Sequence, residues 1–241
     1  CEKAGAQPGS AVVYVHGGGM ICGTAPLYDR LVRHYVQMSG VPFLSVDFRP
    51  APEHSETGLG RDAVAAIKWL IAEAPKLGVD PARIAIMGDS GGGGVAAQAA
   101  IMARDQGIAL ARQILIYPML DDRNIVPDPF LAPTALWSYE KNQVAWAAIM
   151  GKSAQQPDAS PYLAPARLED YAGLATAYIE VGELDIFRDE SIAYAQKMLL
   201  AGVSCELRVH PGAPHGHDWV DLNSGISKRV MEERTRILRS L

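Results

Sequence analysis

Short runs of β-branched and apolar residues alternate along this chain with longer stretches in which apolar residues recur at helical spacing. The runs with strand character lie at residues 11–15, 43–47, 83–87, 114–117, 177–181 and 205–209. The helical stretches lie at residues 27–38, 61–74, 95–106, 142–150, 189–202 and 226–241. This alternation predicts a mainly parallel sheet with helices on both faces, because parallel strands need long crossover connections. Since the 241 residues contain no internal repeat and no obvious linker, we expect one α/β domain over residues 1–241.

Glycines and prolines mark the predicted boundaries between helices and strands. Gly40, Gly78 and Gly202 each follow a helical stretch, where a left-handed residue commonly ends a helix. Pro42 and Pro81 are each expected to lie just before the next strand of the chain. Residues 121–137 contain three prolines, which exclude a continuous helix. We expect this segment to be a loop excursion over one end of the sheet.

Charge and composition exclude several classes of partner. The chain has 22 Lys and Arg against 27 Asp and Glu, and a net charge of -5 gives no broad positive field for nucleic acid. No apolar run approaches the roughly 18 residues of a membrane span, and residues 1–10 lack the apolar core of a signal peptide. A cytoplasmic location is therefore expected. Cys1, Cys22 and Cys205 are widely spaced, which favours reduced thiols, and Cys22 is expected to be buried.

Segments with residue types that are common in catalytic sites follow four of the predicted strands. The segments are HGGG at 16–19, GDSGG at 88–92, GELD at 182–185 and HPGAPHGHDW at 210–219. In open α/β sheets ligands bind at the carboxyl ends of the strands, so these segments should meet at one edge. A serine, a carboxylate and a histidine thus arrive in chain order from different strand ends.

The segment GDSGGGG, residues 88–94, contains the pattern G-x-S-x-G around Ser90. This pattern is typical of a strained strand-to-helix turn that lifts a serine hydroxyl above the sheet. Small residues around the serine let such a turn pack against neighbouring strands, which offsets the lost helix propensity of about 1 kcal/mol per glycine. By itself the segment is also compatible with a flexible glycine loop. Its place between a strand and a helix favours the tight turn.

A serine nucleophile needs a base that is itself oriented by a carboxylate. His215 is the candidate base, with His217 as a close rival. Asp185 is the candidate carboxylate because it follows its strand by four residues, whereas Asp189 and Glu190 resemble the acidic first turn of a helix.

Acyl transfer also needs hydrogen-bond donors for the oxyanion of the tetrahedral intermediate. Backbone N–H groups serve when no side chain blocks their approach, which suits HGGG. Gly18 and Gly19, together with the N–H of Gly91 after the nucleophile, are the candidate donors. A purely structural glycine turn at 16–19 is the alternative.

Six ordered motifs together resemble the hormone-sensitive-lipase-like esterases of the α/β-hydrolase fold. The motifs are HGGG, DFRPAPEH at 47–54, GDSGG, YPMLD at 117–121, GELDIFRDE at 182–190 and PHGHD at 214–218. The resemblance covers nearly the whole chain from about residue 11 onward. It implies that Ser90 is the nucleophile, Asp185 the acid and His215 the base, with Gly18, Gly19 and Gly91 in the oxyanion hole.

The chain departs from the family pattern in ways that matter for the site. Gly91 stands where the family usually has alanine, which keeps the N–H, and Ile186 and Phe187 replace a proline and a leucine after the acid. His217 replaces an aromatic residue.

The family normally has an N-terminal cap and two further strands before the HGGG strand. Only about ten residues precede it here, so the resemblance implies that these parts are missing from the given chain or naturally absent. Strand 43–47 would then be an edge strand, which predicts a homodimer or poor solubility.

These features predict a serine carboxylesterase that acts on small, short-acyl carboxylic esters without a cofactor or metal. Amide or carbamate hydrolysis remains open within this class, and the alternative is a small-molecule-binding protein that keeps the fold without turnover. A nucleotide site is disfavoured: the fingerprint match at Gly91, Gly93 and Ala96 begins after the turn serine. Residues 151–153, GKS, lack the glycine of a phosphate-binding loop, because Trp146 stands in its place.

Overall fold

A computed structural model of the chain describes residues 9–54 and 58–241. Six strands form one sheet within these ranges, and they are β1 (Gly9–Val15), β2 (Phe43–Val46), β3 (Val79–Asp89), β4 (Arg112–Ile116), β5 (Ala177–Gly182) and β6 (Cys205–His210). All neighbouring strands are parallel, in the order β2-β1-β3-β4-β5-β6. The predicted parallel α/β sheet is therefore confirmed.

Helices connect these strands, as parallel pairing requires. The connecting helices are α1 (Asp29–Ser39), α2 (Gly58–Leu77), α3 (Gly91–Asp105), α4 (Tyr139–Met150) and α5 (Arg188–Leu200). Two further helices, α6 (His217–Val220) and α7 (Gly225–Arg239), follow β6. Short 3-10 helices lie at Ala25–Tyr28, Ala132–Thr134, Gly151–Ser153 and Pro165–Arg167. Among the described helices, none is both long and apolar enough to cross a bilayer.

The sheet is buried on both faces because successive side chains of each strand point in opposite directions. Val13 and Val15 of β1 belong to the core formed with α2 to α5, whereas Val12 and Tyr14 pack in the core with α1 and α7. Strands buried in this way read as continuous apolar runs, which is why they were visible in the sequence.

Element boundaries differ from the predictions where local capping or irregular pairing intervenes. Helix α4 begins three residues early because the Ser138 side chain accepts a hydrogen bond from the Lys141 N–H, capping the helix. Pro81 does not precede β3 but lies within it, in an exposed part of the strand where the pairing with β1 is irregular. Gly40, Gly78 and Gly202 have φ values of 76°, 65° and 75°, so the predicted helix ends are confirmed.

Strand β2 lies at the edge of the sheet, as expected. Residues 121–137 contain only the short 3-10 helix Ala132–Thr134, which agrees with the predicted loop excursion. Cys22 is exposed rather than buried, because it lies in the loop after HGGG, and Cys1 lies outside the described residues.

Candidate active site

Ser90 occupies the turn between β3 and α3. Its backbone has φ 56° and ψ -123°, a conformation that non-glycine residues rarely adopt. The Ser90 N–H donates to the carbonyl of Ile116 at 2.9 Å, and its own carbonyl accepts from the N–H of Gly94 at 3.1 Å. The strained turn is therefore held by hydrogen bonds on both sides, as expected for a functional serine.

The glycines after Ser90 lie in the first turn of α3, where close packing excludes any side chain. A Cβ atom on Gly92 would lie 2.2 Å from the Val15 carbonyl oxygen, and one on Gly94 would lie 2.2 Å from the Met119 carbonyl oxygen. Bare backbone thus lets the helix approach both β1 and the loop after β4. Close packing explains the four consecutive glycines better than flexibility does.

A continuous hydrogen-bond chain joins three side chains from different strand ends. The Ser90 hydroxyl lies 2.8 Å from Nε2 of His215, and Nδ1 of His215 lies 2.7 Å from Oδ2 of Asp185. All three residues are buried, and Asp185 is held from the other side by the N–H of Phe187, which donates to Oδ1 at 2.9 Å. The structure therefore brings together the three residues that the sequence indicated.

Two aromatic rings fix the plane of the His215 imidazole. Tyr117 and Phe187 meet it edge to face, with ring centroids 4.8 and 5.1 Å from that of His215. Phe187 is one of the residues that departs from the family pattern, and its ring supports the histidine directly.

The other candidates for the base and the acid do not belong to the hydrogen-bond chain of Ser90. His217 is buried on α6, with its Nδ1 3.2 Å from the carbonyl oxygen of Pro214, and burial lowers its pKa. Asp189 is exposed and pairs with Arg188. Glu190 is buried and accepts hydrogen bonds from the N–H groups of the loop after β4.

The glycine-rich loop after β1 approaches the start of α3 closely. Gly18 and Gly19 have φ values of 111° and 59°, which favour glycine. A Cβ atom on Gly91 would lie 2.8 Å from the Gly19 nitrogen, and one on Gly19 would lie 2.5 Å from the Trp137 ring. The three candidate oxyanion donors thus belong to adjoining backbone segments beside Ser90.

A cavity of about 370 Å³ opens above Ser90 and His215. Its walls are mainly apolar and aromatic, and the side chains that form them are Leu27, Tyr28, Tyr117, Leu136, Trp137, Trp219 and Val220. The 121–137 segment and Trp219 therefore line the site. Met20, which directly follows HGGG, does not line the cavity: it is fully buried, and its sulfur accepts from the Gln98 amide at 3.7 Å.

Asp89, which directly precedes Ser90, is a buried acid that the motif did not single out. Its Oδ1 accepts a short hydrogen bond from Tyr14, and its Oδ2 has no hydrogen-bond partner among the described residues. Burial is the main reason that its pKa is raised to about 7. The available signal in the sequence was its position between Gly88 at the strand end and Ser90.

A second cluster that sequence reasoning missed lies behind His215. Arg234 of α7 is fully buried and donates to Asp218 at 2.5 Å, to Glu180 at 2.6 Å and to the Tyr35 hydroxyl at 2.8 Å. Tyr117 donates to the other oxygen of Asp218 at 2.9 Å. The pairing with Arg234 keeps the pKa of both carboxyl groups below the usual range despite their burial, and that of Glu180 is about 2. In the sequence Arg234 looked like any charged helix residue.

Comparisons with known proteins show the family of this chain. A family model described as alpha/beta hydrolase fold matches residues 12–218. An ethyl acetate hydrolase of Pseudomonas putida is 32% identical over 220 residues, and a carboxylesterase of Mycobacterium tuberculosis is 35% identical over 224 residues. The aligned regions cover 87% and 86% of this chain, which spans 66% of the length of each relative.

A solved structure entitled Bacterial Heroin Esterase superposes with a TM-score of 0.91 at 38% sequence identity, covering 98% of this chain and 75% of that one. The chain therefore belongs to the α/β-hydrolase-fold family and, within it, to the hormone-sensitive-lipase-like esterases.

Proposed function

We propose that this chain is a serine carboxylesterase in which Ser90 is the nucleophile, His215 the general base and Asp185 the orienting acid. The observation that carries the proposal is the hydrogen-bond chain from the Ser90 hydroxyl through His215 to Asp185, with distances of 2.8 and 2.7 Å. Both distances are within the range needed for proton transfer and for orienting the imidazole.

Acylation begins when Nε2 of His215 accepts the hydroxyl proton of Ser90 as the oxygen attacks the ester carbonyl. Asp185 stays ionised and accepts a hydrogen bond from the Nδ1–H of His215, which selects the tautomer with a free Nε2 lone pair. Its negative charge then stabilises the imidazolium. His215 returns the proton to the departing alcohol, leaving an acyl group on Ser90.

Deacylation repeats these steps with water in place of the serine hydroxyl. His215 accepts a proton from the water, which attacks the acyl group, and then protonates Ser90 as the carboxylic acid leaves. The proposed chemistry uses groups of the protein and water, and it requires no cofactor or metal.

In both halves of the reaction a tetrahedral oxyanion forms next to Ser90. We assign its stabilisation to the N–H groups of Gly18, Gly19 and Gly91. Donors of this kind are already oriented before the reaction, and losing one typically costs about 2.7 to 4 kcal/mol in the barrier. The close approach of Gly19 and Gly91, which a Cβ atom on Gly91 would prevent, supports the assignment.

We propose small uncharged esters with short acyl groups as substrates. The apolar cavity of about 370 Å³ is near the lower end of the sizes that hold drug-like ligands. The relative described as an ethyl acetate hydrolase also supports a small ester.

The experiment that tests this function is hydrolysis of p-nitrophenyl butyrate by the chain and by its Ser90→Ala variant. We expect kcat/KM to fall by at least about 10⁴-fold in the variant, because the nucleophile is lost. Labelling with a fluorophosphonate should occur in the original chain and not in the variant. A folded chain that neither turns over the ester nor reacts with the probe would contradict the proposal and favour a non-catalytic binding protein.

A further inference from the structure

A second cavity lies next to the catalytic one. It has a volume of about 200 Å³ and shares three of its lining residues, Leu27, Trp219 and Val220, with the cavity above Ser90. These three side chains therefore form the wall between the two cavities.

This wall consists of side chains at the surface rather than in the core. Leu27 is 60% exposed, Trp219 46% and Val220 73%. The Trp219 ring has one aromatic neighbour among the described residues, Tyr28, which it meets edge to face at a centroid distance of 4.7 Å. A side-chain hydrogen bond also joins Trp219 to Tyr28. Rotation of Trp219 would break this contact but would disturb little else of the packed interior.

The helix that carries Trp219 is nevertheless firmly attached. In α6, His217 and Asp218 are buried, and Asp218 accepts from Arg234 at 2.5 Å and from Tyr117 at 2.9 Å. Trp219 and Val220 project from the opposite side. A substitution of Trp219 thus changes the wall and leaves the attachment of α6 in place.

Five of the nine residues that line the second cavity are apolar, and these five side chains offer a hydrocarbon chain its contact surface. Leu31 and Leu222 join the shared apolar side chains, and the buried carboxylate of Asp218 already has both oxygens hydrogen-bonded. The remaining three lining residues, Arg30, Asp221 and Asn223, are polar, and they are exposed and keep access to water.

We propose that the second cavity is a subsite for the distal part of an unbranched hydrocarbon chain, and that Trp219 restricts passage of the chain from the catalytic cavity. This proposal rests on the proposed esterase function. Each methylene that leaves water for an apolar site contributes about fourfold to binding. Opening the wall should therefore favour longer esters over shorter ones.

The test compares kcat/KM for two ester series in the original chain and in Trp219→Ala. One series is p-nitrophenyl acetate to octanoate, which lengthens the acyl group, and the other is ethyl to octyl acetate, which lengthens the alcohol. We expect the ratio of the longest to the shortest ester to rise at least tenfold in one series. The responding series identifies which part of the ester enters the subsite.

Trp69→Ala is the matched control, because Trp69 is 52% exposed on α2 and lines neither cavity. Its ratio should equal that of the original chain. Trp219→Phe, which keeps an aromatic ring beside Tyr28, should give an intermediate ratio even if Trp219→Ala folds poorly. Ratios that stay constant in both Trp219 variants, or change equally in Trp69→Ala, would overturn the proposal.

A binding measurement separates this proposal from the proposed function. Calorimetry with Ser90→Ala and with Ser90→Ala/Trp219→Ala would compare the affinities for p-nitrophenyl octanoate and butyrate without turnover. If the acyl chain enters the subsite, we expect the preference for octanoate over butyrate to increase at least tenfold in the double variant. If the alcohol chain enters it, the preference for octyl acetate over ethyl acetate should increase instead. An inert original chain would refute the esterase function, while unchanged preferences in both arms would refute the subsite.

Discussion

At the scale of single residues, the site combines strain with buried charge. Ser90 is held at φ 56°, and Asp89 beside it is almost inaccessible to solvent. The pKa of Asp89 is raised to about 7, chiefly because burial disfavours its charged form. The environment of the nucleophile therefore changes its charge near neutral pH.

This charge change makes a prediction about stability. The pKa of Asp89 rises from an ordinary value near 3.9 when the chain is unfolded to about 7 when it is folded. The folded state binds more protons between these values, so the contribution of Asp89 to stability falls as pH rises from about 4 to 7. Asp89→Asn should gain stability relative to the original chain over that range, by up to about 4 kcal/mol. Urea denaturation at pH 4.5, 6, 7 and 8 measures the difference.

Asp62→Asn is the control for this prediction, since the ion pair with Arg49 contributes to lowering the pKa of Asp62. A lowered carboxyl pKa contributes stability that is lost only as pH falls through it, so the difference for Asp62→Asn should be flat from pH 6 to 8. A flat difference for Asp89→Asn over pH 4.5 to 7 would contradict the expected titration.

At the scale of elements, Arg234 joins the C-terminal helix to the support of the base. It connects α7 with Glu180 of β5, Asp218 of α6 and Tyr35 of α1. Removing one partner of a buried ion pair is strongly destabilising, so Arg234 itself is a poor probe of catalysis. Substitution of a tyrosine that hydrogen-bonds to Asp218 or Glu180 is a milder probe of catalysis.

Tyr117→Phe and Tyr178→Phe form a matched pair. Tyr117 donates to Asp218 at 2.9 Å and Tyr178 to Glu180 at 2.7 Å, so each variant removes one hydrogen bond from a carboxylate bound by Arg234. Both should lose about 1 to 3 kcal/mol of stability. The Tyr117 hydroxyl anchors to Asp218 the ring that contacts His215, and Tyr117→Phe keeps the ring but removes this anchor. Only Tyr117→Phe should therefore lower kcat for p-nitrophenyl butyrate, by up to about tenfold.

Steady-state kinetics and thermal unfolding measured on the same samples decide this prediction. An equal change of kcat in the two variants would mean that the network acts on the fold in general. A decrease confined to Tyr117→Phe would identify Tyr117 as a positioning residue for His215.

At the scale of the whole molecule, the sheet leaves β2 at its edge. Within the described ranges, β2 pairs only with β1, and three of its four residues are partly accessible. An edge strand presents unpaired backbone groups that can pair with another chain. We therefore retain the prediction that the chain forms a homodimer or associates at high concentration.

Sedimentation velocity at increasing concentration tests this association. Ser45→Lys places a charge on β2 and should weaken association, because charged side chains protect edge strands. Val209→Lys, on the opposite edge strand β6, is the control and should leave association unchanged. A monomer at every concentration, or an effect of Val209→Lys alone, would contradict the assignment to β2.

The spacing of apolar residues and the glycines at helix ends made the fold predictable from sequence. Strands buried on both faces read as apolar runs, and the four strand-end segments predicted which residues would converge on one edge. The tight turn at Ser90 was also predictable from its glycines, because only backbone without side chains can approach other backbone closely. The predicted single domain over residues 1–241 stays a prediction, since residues 1–8 and 55–57 lie outside the described residues.

The sequence by itself thus determined the parallel sheet, the turn at Ser90 and the candidates Asp185 and His215, because each has a local pattern. Tertiary structure alone decided that Met20 lies below the site, that Trp219 separates two cavities and that Arg234 supports the region behind the base. Arg234 and Tyr35 are 199 residues apart in sequence, and Arg234 and Glu180 are 54 apart. Contacts over such separations leave no periodic signal, since they depend on how complete elements pack against each other.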